Sequence, residues 1–299
     1  MTTQAELTAF SPAKINLYLR ITGKRADSYH DLETIMLPLD FGDEIVCQLR
    51  PAGLSMECDN ATLPTDDRNL ALRAARQLAE RCQVKQGAHI ILRKRTPLAA
   101  GLGGGSSNAA IVLATLNKLW KLNTAPVILN ELAAGMGSDI NFFLAGSTAL
   151  CRGRGEQVEP VPCRLSATVL LINPGFGIST KWAYESWAKA AAGLTVAPPP
   201  VTLLTRALVE DDLAGVAAAM FNSLEAPSVG KFPVLDLLKD ALRTNGAAGA
   251  MMSGSGATVF GLFAKASDAV RAATQILAEF GPSMWTHVTS AARSSESVH

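Results

Sequence analysis

Between Gly101 and Asn108 the chain reads GLGGGSSN, and the stretch that follows to Leu119 is a continuous helix former. Glycine loses more backbone entropy on folding than any other residue, so four within five positions need a purpose. Backbone N–H groups crowded at a glycine turn before a helix form an anion cradle, with the positive end of the helix dipole behind them. Lys94 and Arg95 lie just upstream and offer charge to phosphates, while Ser106 and Ser107 add hydroxyls that could reach a phosphate or its magnesium ion. Two familiar cradles are excluded. Neither Gly23-Lys24 nor Gly230-Lys231 completes GxxxxGK[ST]; a GxGxxG fingerprint needs glycine where Ser106 stands, and the next acid after the loop is Glu131. An ordinary helix–strand junction is the other reading of the same residues.

A second polar group stands in KINLYLRI. Ile15, Leu17, Leu19 and Ile21 alternate with Lys14, Asn16, Tyr18 and Arg20, the pattern of a half-buried strand. Lys14 and Asn16 then share a face, as two polar groups entering a cleft would, although solvent exposure is the commoner fate of a lone strand lysine.

Further strands are expected at 43–49 and 88–94. Residues 69–82 carry Leu70, Ala74, Leu78 and Cys82 on one helical stripe, and helix signals return at 106–119 and after Pro126. In the second half TVLLINPG reads as a strand, Thr180 as the cap of a helix through Lys189, MMSGSGATVFGLF as a second glycine loop running into a strand, and 267–280 as a helix. No internal repeat is visible, VAPPP (196–200) is a stiff connector, and residues 291–299 are expected to be a disordered tail. The pattern predicts two α+β domains joined at about 155–165.

The 299 residues are enough for two cores, and 48% hydrophobic against 18% charged residues points to large apolar interiors. With 27 basic and 26 acidic residues the net charge is +1, which leaves no electrostatic footprint for nucleic acid or membrane lipid. Cys47, Cys58, Cys82, Cys151 and Cys163 are scattered, odd in number and without CxxC spacing, so neither a disulfide framework nor a zinc site is expected. The opening MTTQAELTAF has no basic start and no apolar stretch, and cytoplasm is the expected location.

SPAKINLYL, GLGGGSSNAA and SGSGATVF, in that order, resemble the three motifs of the GHMP kinases (galactokinase, homoserine, mevalonate and phosphomevalonate kinases) from about Ala9 to Phe280. The resemblance implies an α+β fold of two domains, each a mainly antiparallel sheet packed with helices, with the active site in the cleft between them. It divides the chain into an ATP-binding part, 1–160, and a substrate-side part, 161–290. It implies Lys14 and Asp139 (in MGSDINFF) as the catalytic pair and ATP with Mg2+ as cofactor. The nucleotide would lie along Gly101, Leu102, Gly103, Gly104, Gly105, Ser106, Ser107 and Asn108, with Asn69, Leu70, Lys94 and Pro97 toward the adenine. No carboxylate ligand for the metal stands out.

ITGKRADSYH is similar to a segment of those members that phosphorylate a cytidine diphospho-alcohol. There Tyr29 and His30 would read the cytosine, and Tyr184, after PGFGIST, would supply a second aromatic wall; Asn16, Thr180, Gly254 and Ser255 complete the implied substrate set. Stacking on an aromatic ring contributes about 1–3 kcal/mol per base, and hydrogen bonds to the base edge would reject uracil. On their residues alone, His30 reads as a loop histidine and Tyr184 as part of an amphipathic helix. Ser28 stands where glycine is usual before Tyr-His, RNL (68–70) replaces DNL, Ala99-Ala100 replaces a glycine-rich lead-in, and Ile140-Asn141 replaces Val-Pro. The alternatives are another small-molecule kinase of the fold, acting on homoserine or mevalonate, and a nucleotide-binding protein that lost turnover; a monomer or weak homodimer is expected.

Overall fold

A computed structural model describes residues 5–27, 29–190 and 197–292. Ser28 and the tail beyond Ala292 lie outside the described residues. The chain runs β1 (Glu6–Lys24), β2 (His30–Arg50), β3 (Leu54–Cys58), α1 (Leu70–Arg81), β4 (Gly87–Arg93), α2 (Gly104–Leu119), α3 (Pro126–Met136), α4 (Ile140–Ala145), β5 (Ala149–Gly153) and β6 (Gln157–Pro160). It continues with β7 (Thr168–Asn173), α5 (Thr180–Ala190), α6 (Val201–Glu210), α7 (Leu213–Ala219), β8 (Phe221–Asn222), α8 (Glu225–Lys231), α9 (Val234–Thr244), β9 (Gly249–Met252), β10 (Val259–Phe263), α10 (Ala266–Phe280) and β11 (Trp285–Ser290). Among the described residues no helix is long and apolar enough to cross a membrane.

One sheet has the order β3-β4-β2-β1-β8, with β5 on the first half of β2 and β6 on β5; the other has the order β11-β7-β10-β9. Pairing is antiparallel except for β3 with β4 and β1 with β8. Strand β8 comes from the second half of the chain yet lies in the first sheet beside Tyr18 and Leu19.

The alternation expected for β1 holds only in part. From Ala13 to Leu19 every residue is buried, Lys14 and Asn16 included. The reason is that β1 is covered on both faces. Ile15, Leu17 and Tyr18 join a core with Leu204, Leu208 and Val216 of α6 and α7 and with Val169, Leu171 and Phe260 of the second sheet, while α2 packs on β1 as well. Register shifts between Pro12 and Lys14 and between Asn16 and Tyr18 mark β-bulges that re-aim the side chains between them. Ala291 and Ala292, expected in a disordered tail, pair instead with Leu39 and Pro38 of β2.

Helix α2 begins at Gly104, two residues earlier than expected. A Gly-Gly first turn is a poor helix former by propensity, but a Cβ on Gly104 would lie 3.1 Å from Lys94 Nζ and 3.2 Å from Thr96. Beneath this turn lies a buried polar network. Asp43 Oδ1 accepts the Arg95 and Thr96 amides at 2.8 Å each, and Oδ2 takes Lys94 Nζ and, at 2.9 Å, Asn108 Nδ2. Asn108 Nδ2 also donates to Ser11 Oγ at 2.9 Å, which lies 2.8 Å from Ser107 Oγ. The network ties β1, β2, the end of β4 and the start of α2 into one unit.

Removing one partner of a buried, hydrogen-bonded ion pair strands the other, at a cost of about 3–5 kcal/mol. Asp43→Ala is therefore expected to lower the free energy of unfolding in urea by that amount; a loss below about 1 kcal/mol would show that the network does not hold the loop.

Candidate active site

Lys14 sits at the centre of the junction between the sheets. Its backbone N–H donates to Leu102 O at 3.0 Å, and its ammonium donates to Asn16 Oδ1 at 2.5 Å and to Gly101 O at 3.0 Å. Asp139 Oδ2 lies 3.8 Å away, close enough for charge pairing but long for a direct hydrogen bond. The lysine side chain is 4% exposed and the aspartate 34%, so the ammonium is buried while the carboxylate is partly open to solvent. Burial pushes the Lys14 ammonium below the ordinary lysine range, and the Asp139 charge opposes that only in part. Asp139 directly precedes α4 but makes no capping bond with its side chain, which leaves the carboxylate turned to the lysine.

Asn16 is held by donation from Nδ2 to Thr34 Oγ1 at 2.9 Å, which keeps Oδ1 toward the lysine. The β9–β10 loop closes the other side. Ser253 Oγ donates to Gly101 O at 2.9 Å, and Asn222 Nδ2 donates to the carbonyls of Met252 and Gly254 at 2.8 and 2.9 Å. The two glycine loops touch so closely that a Cβ on Gly101 would fall 2.1 Å from Ser253 O; one on Gly254 would fall 3.1 Å from Asn16 Oδ1 and 3.3 Å from Lys14 Nζ.

Gly101 and Gly103 take left-handed φ values of 77° and 72°, and Gly103 stands at the N-cap of α2. These torsions swing the chain abruptly into a 16-residue helix, an arrangement that suits an anion at its N-terminus. Of the side chains implied for the nucleotide, Ser107, Asn108 and Lys94 are all engaged in the Asp43 network, whereas no partner is found for the Ser106 hydroxyl among the described residues. Asn69 is committed locally as well, since Oδ1 caps α1 at Ala71 N and Nδ2 donates to Pro64 O. Leu102 is buried; Leu70 lies 3.8 Å from the Cβ position on Gly105. Pro97 and Lys94 line a groove of about 350 Å³ shared with Asn60, Asn173, Phe176 and Trp285. Among the described residues no cluster of three His, Cys, Asp or Glu is placed to hold a metal ion.

Tyr29 and His30 lie where β1 turns back into β2, with Lys24 paired to His30. Tyr29 is 54% exposed, and the Arg154 guanidinium lies 5.1 Å from its ring centroid. His30 stacks on Tyr184 with centroids 5.3 Å apart and 27° between planes. Burial, helped by Lys24, holds the imidazole below the usual histidine range; burial and the Asp139 charge push the Tyr184 phenol up. Thr180 Oγ1 lies 3.1 Å from Ser255 Oγ, which joins the start of α5 to the β9–β10 loop. Sequence reasoning did not single out Asp43, Ser11, Thr34, Arg154 or Trp187. Asp43 carried one signal, an acid at the head of the apolar run IVC; Trp187 carried another, a second aromatic ring three residues after Tyr184.

Residues 69–147 match the GHMP kinases N terminal domain and residues 204–283 the GHMP kinases C terminal domain. The chain is 41% identical over 278 residues to a 4-diphosphocytidyl-2-C-methyl-D-erythritol kinase of Synechococcus sp. (strain JA-3-3Ab), covering 91% of this chain and 90% of that one. It is 41% identical over 273 residues to the enzyme of the same name from Pelotomaculum thermopropionicum, covering 90% and 93%. A crystal structure of 4-(cytidine 5'-diphospho)-2C-methyl-D-erythritol kinase superposes with a TM-score of 0.80 at 33% identity over 96% of this chain and 100% of that one. A homoserine kinase from Cytophaga hutchinsonii, at 20% identity and TM-score 0.77, shares the fold over 99% of this chain and 98% of its own. The chain belongs to the GHMP kinase family, within its 4-diphosphocytidyl-2-C-methyl-D-erythritol kinase branch.

Proposed function

We propose that this protein transfers the γ-phosphate of ATP to the 2-hydroxyl of 4-diphosphocytidyl-2-C-methyl-D-erythritol. The observation that carries the reading is the buried Lys14 ammonium 3.8 Å from the Asp139 carboxylate, bonded to the Gly101 carbonyl of the glycine loop, with the Asp139 charge felt at Tyr184. Phosphoryl transfer needs in-line positioning and charge neutralisation more than covalent help from the protein. The triphosphate would lie along residues 101–107 at the start of α2, met by backbone N–H groups and the Ser106 hydroxyl. Asp139 orients the acceptor hydroxyl and takes its proton as the oxygen bonds to phosphorus and ADP departs. Lys14 keeps that carboxylate charged and in place.

The residues present suit a magnesium ion held mainly by phosphate oxygens and water, to which the loop could add the Ser106 hydroxyl, unpartnered among the described residues. Bound there, the ion would neutralise charge on the phosphates. The engagement of Lys94, Ser107 and Asn108 in the Asp43 network supports a shaping role for those side chains, with the loop backbone making the phosphate contacts. We read 1–160 as the ATP-binding part, 161–290 as the substrate side, and the protein as a cytoplasmic monomer or weak homodimer. Homoserine and mevalonate carry no ring for Tyr29 or Tyr184 to stack on, and a sensor without turnover has no use for a Lys14–Asp139 pair.

Incubation with Mg-ATP and a panel of the cytidine diphospho-alcohol, mevalonate and homoserine is expected to release ADP with the first alone; ADP from either of the others would overturn the assignment. General-base contributions run to about 10²–10⁴-fold, so Asp139→Asn should reduce kcat by at least that lower bound, and retention of more than about a tenth of wild-type turnover would remove Asp139 from the role. The active form needs Lys14 protonated, and burial makes it give up its proton earlier than a free lysine. The alkaline limb of kcat/KM is therefore expected below pH 10.5, the ordinary lysine value. A limb at or above that pH would contradict the buried-ammonium account.

A further inference from the structure

Among the described residues three buried side-chain polar atoms have no hydrogen-bond partner: Thr96 Oγ1, Asn141 Oδ1 and His30 Nε2. An unsatisfied buried group in a folded protein calls for an explanation. Only the histidine belongs to the aromatic corner, and it is boxed on two sides. Tyr184 stacks against its face, and Trp187 meets it edge-on, with centroids 5.7 Å apart and 89° between planes. A stacked face fixes the plane of an imidazole. A second ring at right angles restrains it within that plane, so the pair together hold the imidazole with Nε2 shut away from solvent.

Tyr184 and Trp187 are three residues apart on α5 and so share a side of the helix with Thr180. That side is the one tied to the β9–β10 loop through Thr180 and Ser255. On its far side α5 is anchored by Trp182, whose ring lies 4.4 Å from Lys231 Nζ at the end of α8. The helix is therefore held at both its faces, and Trp187 is delivered to His30 by a supported element.

We propose that Trp187 is a positioning residue for base recognition: with Tyr184 it holds the His30 imidazole in one orientation, with Nε2 turned inward, and so fixes how the ring meets the incoming pyrimidine. This rests on the reading of Tyr29, His30 and Tyr184 as the base site. Cytosine and uracil differ in which edge atoms donate and which accept, and a neutral imidazole has one nitrogen of each kind. A ring held in place keeps its edge at one distance and angle from the base, which a turning ring does not. A site built to hydrogen-bond one edge discriminates far more strongly than an apolar pocket does.

Wild-type enzyme is first measured with the cytidine diphospho-alcohol and its uridine counterpart. Failure to prefer cytidine would overturn the base-site reading itself, independently of Trp187. Given that preference, Trp187→Leu is expected to raise KM for the cytidine substrate about fivefold to tenfold, the scale of a lost aromatic contact. It should shrink the cytidine preference by a similar factor while kcat and the KM for ATP stay within about twofold. Trp187→Phe keeps an aromatic edge and should recover most of both. In a His30→Ala background, Trp187→Leu should add less than about twofold, since no ring remains to be held. Trp187→Met, closer in volume, serves the same comparison if the leucine variant does not fold. The proposal is overturned if Trp187→Leu leaves KM and base preference within about twofold of wild type, if its full effect persists without His30, or if kcat and ATP affinity fall together with KM.

Discussion

A lysine ammonium shut away from water is the interaction on which the rest of this structure depends. Such a group is tolerable only where its donors are used and a negative charge lies near. Lys14 meets the condition with Asn16 Oδ1, the Gly101 carbonyl and the Asp139 carboxylate. Each partner comes from a different part of the chain: β1, the first glycine loop and the approach to α4. The Gly101 carbonyl is shared with Ser253 Oγ, so the loop from the second sheet enters the same arrangement. A side chain at Gly101 or Gly254 would push these pieces apart, which explains the glycines at those two positions better than flexibility does.

The Asp43 network has the complementary task. It sets where α2 begins and therefore where the first-turn N–H groups lie. Lys94, Ser107 and Asn108 have side-chain types suited to phosphate, yet they spend their hydrogen bonds on Asp43, Ser11 and one another. Left unengaged in the first turn are the backbone N–H groups at the positive end of the helix dipole and, among the described residues, the Ser106 hydroxyl. A cradle of backbone groups is rigid only if something beneath it is rigid, and a buried charged network supplies that.

Much of the local structure was legible because it rests on near neighbours in sequence. The helix over 69–82, the proline that opens α3, the strands around 43–49 and 88–94, and the two glycine loops follow from residue type and short-range pattern. The start of α2 was not legible, because propensity disfavours Gly104 and Gly105 in a helix, and the closeness of Lys94 and Thr96 to where a Gly104 side chain would lie is set by the fold. The burial of both faces of β1 was hidden for a related reason: a polar residue at alternate positions predicts solvent on that side unless a second layer arrives from elsewhere in the chain.

The sequence by itself determined the residue types on offer: glycines for a close-approach backbone and a lysine on an alternating strand, with the partner aspartate and the role of Tyr29, His30 and Tyr184 implied only by the resemblance of the motifs. Tertiary structure alone decided which of these groups meet. It joined Lys14 to Asp139 across 125 positions and His30 to Tyr184 and Trp187 across more than 150. It also turned three phosphate-type side chains inward to Asp43. The physical reason is that hydrogen-bond satisfaction and charge pairing inside a folded chain are settled by whatever lies within a few ångströms, and separation along the sequence carries no information about that distance.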